Sequence, residues 1–113
     1  MARNLNKAII IGAIGREPEM RYTPAGQPVT AFTVGAVDTW QDADGDLHEE
    51  TEWFSVVAWG SLAELCKQAL DTGQLVYVEG RFKTRSWENS DGERCYRTEV
   101  VAHNVLVLDG DAG

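Results

Sequence analysis

The sequence predicts an all-β protein: a small five-stranded barrel with one α-helix between its third and fourth strands. The length of 113 residues and a hydrophobic fraction of 43% suit one globular domain. Most of the chain divides into β-branched, apolar stretches bounded by glycine, proline and Asp-Gly turns. Only one segment has helical periodicity, and it follows the third predicted strand. This order of elements is that of the OB-fold, a five-stranded Greek-key barrel.

Five segments have the composition of β-strands. Gly15 and Pro18 end the first of them, and the Asp-Gly pairs at 44–45 and 91–92 predict hairpin turns before the third and fifth. Glycine and proline both interrupt regular strands, so these positions set the strand limits. The predicted strands are, approximately, residues 8–14, 28–40, 50–60, 75–87 and 93–108.

The predicted helix covers residues 61–72. Ser61 and Glu64 have the spacing of a capping box, and Gly73 stands where a left-handed C-cap would lie. Apolar side chains recur at helical spacing and predict one buried stripe, which consists of Leu62, Leu65, Cys66, Ala69 and Leu70.

The two cysteines are too few for a disulfide framework or a zinc cluster. Cys66 lies on the predicted buried stripe, which favours a packing role over reactivity. We expect Cys66 and Cys95 to be reduced thiols, although a single bridge between them stays open at this point.

The net charge of −8 argues, taken as a whole, against binding of nucleic acid. However, seven of the eighteen acidic residues lie between Asp38 and Glu52, a segment that contains no lysine or arginine. The rest of the chain is nearly neutral. We expect the acidic segment to form the exposed tip of a long hairpin, so the local field elsewhere decides what can bind.

Strand alternation gathers aromatic and basic side chains on particular faces, because residues i, i+2 and i+4 of a strand point the same way. In the third predicted strand, Trp53 and Trp59 share a face with Ser55 and Val57. In the fourth, the core-like face holds Val76, Val78, Gly80 and Phe82, whereas the opposite face holds Arg81, Lys83, Arg85 and Trp87.

All four tryptophans therefore fall near hairpin ends or on an outward face, with Trp40 at the end of the second strand. A nucleobase can stack on an exposed aromatic ring, and neighbouring cations can pair with phosphates. The pattern predicts a single-stranded nucleic-acid interface. The alternatives are buried tryptophans and a cationic row that only confers solubility.

No pattern in the sequence indicates an enzyme or a cofactor. His48 and His103 have no companion at metal-ligand spacing. Residues 42–46 resemble the start of a calcium loop, but Leu47 and Trp53 stand where that loop needs glycine and glutamate. We therefore expect no catalytic residue, no metal and no cofactor.

The chain resembles the bacterial single-stranded DNA-binding proteins over residues 3–108. The resemblance is carried by residues 6–12, 15–22, 51–54 and 58–64 and, most specifically, by VYVEGRFKTRSW at 76–87. It implies a homotetramer of OB domains that wraps single-stranded DNA in replication, recombination and repair. It also implies stacking by Trp40, Trp53, Trp59 and Trp87, and phosphate contacts from Arg3, Lys7, Arg21, Lys83 and Arg85, to which strand alternation adds Arg81.

The ends of the chain bear on partners. We expect one domain over residues 1–108 and a short, disordered remnant at 109–113. Members of this family typically continue into a tail whose acidic tip recruits replication and repair proteins, so this recruitment is not carried over to the present chain. Without an apolar run of about 20 residues or a signal peptide, we expect a cytoplasmic, nucleoid-associated protein.

One alternative function stays open. OB-folds host many activities, so the chain could also be a protein-interaction module, such as a primosome accessory subunit that binds DNA weakly. The sequence leaves open the choice between tetramer and dimer, the choice between DNA and RNA, and the size of the binding site.

Overall fold

The computed structural model describes residues 3–108, which form six β-strands and one α-helix. The predicted remnant at 109–113 lies outside the described residues. The nine-residue helix is too short to cross a membrane, and it is the only helix in residues 3–108. In chain order the elements are β1 (Ala8–Ile14), β2 (Glu19–Tyr22), β3 (Pro28–Gln41), β4 (Leu47–Trp59), α1 (Ser61–Ala69), β5 (Leu75–Glu88) and β6 (Arg94–Val107).

The strands form one sheet in the order β1-β5-β6-β4-β3-β2, and a further pairing between β1 and β3 closes it into a barrel. The closing pairs are Ala13 with Gly35 and Ile14 with Val34. All pairings are antiparallel except that of β4 with β6. The prediction of an all-β barrel that closes through five strands and carries one helix is confirmed.

The predicted position of the helix is wrong, because one strand was missed. β2 has four residues and pairs with the start of β3 on its outer edge. Counted along the chain, the helix therefore follows the fourth strand and does not lie between the third and the fourth. Glu19 and Arg21 are exposed, and so short and polar a segment between Pro18 and Pro24 has no apolar signal of a strand.

Valine is the commonest of the buried apolar residues, and the one buried polar residue among those described is Thr30. The Thr30 hydroxyl donates a hydrogen bond of 2.7 Å to the Ala63 carbonyl, which ties β3 to α1 and satisfies the buried oxygen. The core side chains come from all five barrel strands and include Ile14, Val34, Val56, Val76, Val78 and Val100.

Several details of the helix differ from the prediction. Its N-cap is Gly60, with φ of 66° and no side-chain capping bond, so Ser61 does not form the predicted capping box. The helix ends at Ala69 instead of Thr72, and Gly73 lies in the turn that follows. Of the predicted stripe, Cys66 and Leu70 are buried and Leu62 is half-buried, whereas Leu65 and Ala69 are exposed and Ala63 is buried instead.

The two cysteines are free thiols in the structure. Cys66 is buried, and this burial raises the pKa of its thiol to about 11. A thiol with such a pKa is almost entirely protonated at neutral pH and therefore a poor nucleophile. Cys95 is partly exposed on β6, directly opposite Trp87.

Two long hairpins extend beyond the barrel. The β3–β4 hairpin ends in a turn in which the Asp42 amide donates to the Asp46 carbonyl, and the acidic residues cluster there as predicted. The β5–β6 hairpin turns at residues 89–93. Phe82 begins the part of β5 that leaves the barrel, and it is 42% exposed. The prediction that Phe82 lies on the core face is therefore wrong.

Candidate nucleic-acid interface

A cleft of about 650 Å³ lies on the face of the sheet that points away from the barrel core. Most of its lining consists of alternate side chains of β3, β4, β5 and β6, and β2 adds Glu19 and Arg21. On β4 and β5 these side chains belong to the faces that strand alternation gathers in the prediction. Trp59 projects into the cleft from β4. Six basic residues line the cleft against three acidic ones, and the basic residues are Arg16, Arg21, Arg81, Lys83, Arg85 and Arg97.

All four tryptophans are substantially exposed, as the sequence predicts. The exposed fractions are 45% for Trp40, 57% for Trp53, 43% for Trp59 and 41% for Trp87. Indole rings are large apolar groups that usually pack into cores, so four open rings in so small a domain indicate a surface that another molecule covers.

Trp53 packs closely against two glycines. It pairs across the strands with Gly35, and a Cβ built on Gly35 would come within 2.7 Å of its ring. A Cβ built on Gly15 would come within 2.3 Å of the same ring. A side chain at either position would therefore displace the indole, so the two glycines provide the space that the Trp53 ring occupies.

Trp87 follows the three cations Arg81, Lys83 and Arg85 along β5. The Arg85 guanidinium lies over its ring, 5.4 Å from the centroid, which is a cation–π contact. The same guanidinium donates to a Glu99 carboxylate oxygen at 3.4 Å. Arg85 is thus partly neutralised by Glu99 and held in place beside the indole.

Trp40 has different surroundings, because it lies on the acidic hairpin. Its ring stacks on His48, with the centroids 5.4 Å apart and the planes 17° from parallel. His48 in turn places its Nε2 atom 2.7 Å from an Asp42 carboxylate oxygen. His48 is therefore more than an isolated surface histidine: together with Asp42 it orients Trp40, and one face of that indole is covered.

Asp42 organises the turn of this hairpin. One of its carboxylate oxygens accepts hydrogen bonds from the amides of Asp44 and Asp46. Carboxylate oxygens of these three aspartates come within 4.8 Å of one another. Because the Asp42 carboxylate already has three donors, the turn accounts for this arrangement without an ion.

The turn should be sensitive to acid. The hydrogen bond from His48, followed by those of the turn amides, lowers the pKa of Asp42. A carboxylate with a lowered pKa stabilises the fold above its unfolded pKa, and this contribution is lost as the pH falls through the folded value. We therefore expect the turn to loosen below about pH 4. The carboxyl ¹³C NMR shift of Asp42 would report its protonation, and the midpoint should rise toward the usual aspartate value in His48→Ala.

The predicted phosphate-binding residues do not all lie together. Arg21, Arg81, Lys83 and Arg85 line the cleft. Lys7 does not line it: its ammonium group is paired with Glu79 at 2.9 Å. This hydrogen-bonded ion pair raises the pKa of Lys7 and lowers that of Glu79.

Arg3 lies in the exposed segment before β1 and also stays outside the cleft. That segment is fixed by Asn6, whose side-chain amide donates to the Phe82 carbonyl at 2.8 Å and accepts from the Phe82 amide at 2.9 Å. The two bonds continue the β1–β5 ladder where regular pairing stops, at Ala8 and Gly80.

Sequence reasoning missed two basic residues of the cleft. Arg16 lies outside the predicted strands, so strand alternation does not place it, and the turn after β1 brings it to the cleft. Arg97 lies on β6 directly opposite Arg85. The register of the β5–β6 hairpin would have revealed this position, because the turn at residues 89–93 fixes which residues face each other.

Comparison with known proteins agrees with this geometry. The family described as "Single-strand binding protein family" matches residues 5–108. Single-stranded DNA-binding protein 1 of Chlorobaculum tepidum is 47% identical over 109 residues, which cover 96% of this chain and 67% of the relative.

Two solved structures share the fold. A Plasmodium falciparum SSB in complex with ssDNA has a TM-score of 0.85 and 28% identity, and the match covers 96% of this chain and 99% of the other. A deletion mutant of the single-stranded DNA binding protein from Thermus aquaticus has a TM-score of 0.82 and 33% identity, over 99% of this chain and 54% of the other. With the family match spanning almost all of the barrel, this chain belongs to the single-strand binding protein family.

Proposed function

We propose that this protein is a non-catalytic, sequence-independent single-stranded DNA-binding protein that coats exposed strands in replication, recombination and repair. The observation that carries the proposal is the cleft in which the open Trp59 ring lies among six basic side chains. Such a protein would act in the cytoplasm, where it would accompany the nucleoid.

The mechanism combines two interactions. Bases of a single strand would stack on the open indoles, a contact that is indifferent to base identity because every base has a π-face. The cations of the cleft would neutralise the phosphates between them and release bound counterions. Duplex DNA buries its base faces inside the helix and could use only the second interaction.

The overall negative charge does not oppose this proposal. None of the seven acids between Asp38 and Glu52 lines the cleft, and all seven lie in the described part of the chain. Repulsion between exposed charges is strongly screened beyond about 8 Å at physiological salt. The acidic hairpin therefore leaves the cleft positive, although it disfavours phosphates near Trp40.

Titration with oligothymidine tests the proposal. Tryptophan emission should be quenched as bases stack, and the log of the affinity should fall with the log of the salt concentration by about 0.7 per phosphate contacted. A duplex of equal length is the control and should quench far less. Unchanged emission at low salt would favour the alternative, a protein-interaction module.

We propose that the protein forms a homotetramer. The outer face formed by β1, β5 and β6 supports this proposal. β1 pairs with β5 over residues 8–13, but with β3 only at Ala13 and Ile14, so most of its other edge is open in the described structure. Across this face Ile11, Tyr77 and Leu106 are aligned by strand pairing, and Ile11 is 53% exposed. An open edge beside an apolar row favours pairing with a second copy.

Ile11→Glu should disrupt this assembly. A C2 interface repeats each substitution on both subunits, so two carboxylates would be buried in an apolar contact. We expect light scattering to show a lower mass than for the wild type. Leu65→Glu is a matched control, since Leu65 is 54% exposed on α1, away from β1. Unchanged mass for Ile11→Glu would exclude this face as the interface.

A further inference from the structure

Arg85 and Arg97 face each other at directly paired positions of β5 and β6. Side chains at such positions lie on the same face of the sheet, and like charges directly opposite each other destabilise the pairing. The hairpin therefore places two like-charged side chains at opposed positions, at a cost in stability. An arrangement of this kind is expected where an anion binds between them.

The two arginines differ in their partners. Arg85 is paired with Glu99, whose side chain is only 14% exposed. Arg97 donates a hydrogen bond to the uncharged hydroxyl of Ser55 on β4, and it forms no ion pair with any residue between 3 and 108. The bond to Ser55 fixes the guanidinium over the sheet but leaves its charge without compensation.

Arg97 also stands where two grooves meet. It lines the cleft that contains Trp59, and it lines a neighbouring groove that contains Trp53 and Phe82. Ser55 borders both grooves as well, and it lies between the two tryptophans on the same face of β4. A single strand that stacks on both indoles would therefore pass Arg97 with the phosphates that link its bases.

From this arrangement we propose that Arg97, positioned by Ser55, binds a backbone phosphate of single-stranded DNA between the bases at Trp53 and Trp59, and that Arg85 binds the same phosphate from β5. The inference rests on the proposed function and assigns residues within it. A phosphate between the guanidinium groups converts their mutual repulsion into two charge-assisted contacts.

A solubilising role for Arg97 predicts a different result. An exposed arginine that serves only solubility can be replaced with little effect on either affinity or salt dependence. An arginine that binds phosphate lowers affinity when it is replaced, but removal of the like charge leaves the fold as stable as before or more stable. Replacement of a phosphate-binding Arg97 should therefore lower the affinity for DNA without lowering the stability of the fold.

The experiment measures oligothymidine affinity across a range of salt concentrations for the wild type and Arg97→Gln. We expect a loss of roughly tenfold near 0.1 M salt, a salt slope reduced in magnitude by about 0.7, and an unchanged or higher melting temperature. Arg97→Lys retains the charge and should retain most of the slope. Arg94→Gln is the matched control on the same strand, because Arg94 is exposed and lines neither groove.

A double-mutant cycle tests whether the two arginines share one phosphate. If they do, Arg85→Gln and Arg97→Gln combined should lose less affinity than the product of the single losses. Losses that multiply independently, or a wild-type slope for Arg97→Gln, would overturn the proposal while the protein still bound DNA. If the wild type did not bind oligothymidine at low salt, both this assignment and the proposed function would fail.

Discussion

Replacement of Trp59 by alanine should weaken oligothymidine binding by roughly 5- to 150-fold, since stacking of a base on an aromatic side chain is worth about 1–3 kcal/mol. Trp59 is 43% exposed and lies in the same cleft as six basic side chains, so a base stacked on it would have its phosphates beside cations. Affinity measured by fluorescence anisotropy of a labelled oligonucleotide would test this expectation.

Two further variants separate stacking from folding. Trp59→Phe keeps an aromatic face and should recover most of the lost affinity. A side chain with a purely structural role would not require a flat ring, so this recovery would indicate stacking. Trp40→Ala should have a smaller effect, because His48 covers one face of that indole and acidic residues surround it. Equal affinity for Trp59→Ala and the wild type, at unchanged melting temperature, would remove Trp59 from the interface.

Strand alternation alone predicted which side chains of β4 and β5 share the face that lines the cleft. The prediction needs only that a segment be extended, and β4 and β5 are long, regular strands with clear turn residues on either side. Arg81, Lys83 and Arg85 consequently fall on one face, as predicted, and line one cleft. What alternation does not provide is the relation between strands: the opposition of Arg85 and Arg97 depends on hairpin register.

The features that sequence reasoning missed have no periodic signal. β2 is a strand because the edge of β3 offers it hydrogen-bond partners, not because its own residues favour a strand. The position of the Trp53 ring depends on Gly15 and Gly35, which are distant in sequence and come together only when the barrel closes. Likewise, Ser61 has the residue type of a cap, but the backbone places Gly60 at that position.

A large loss of stability is expected from Gly12→Ala. A Cβ at Gly12 would lie 2.2 Å from the carbonyl oxygen of Gly35, which forms a closing pair of β1 and β3 with Ala13, the neighbour of Gly12. Since the obstacle is backbone, a side-chain rotation cannot relieve it, and β1 must move away from β3. We expect a cost of about 3 kcal/mol in the free energy of unfolding, measured by urea denaturation at equal protomer concentration.

Gly26→Ala is the matched comparison, since it separates the cost of steric crowding from the cost of an unfavourable backbone conformation. Gly26 has a φ of 86° and open space around a built Cβ, so alanine there meets only the left-handed backbone penalty of about 1–2 kcal/mol. Gly12 has no positive φ, and its restriction is purely spatial. A smaller loss for Gly12→Ala than for Gly26→Ala would mean that β1 can move away from β3 at little cost. In that case the β1–β5 ladder and the packing of the core would keep the barrel closed, because the close contact between Gly12 and Gly35 could be lost at little cost.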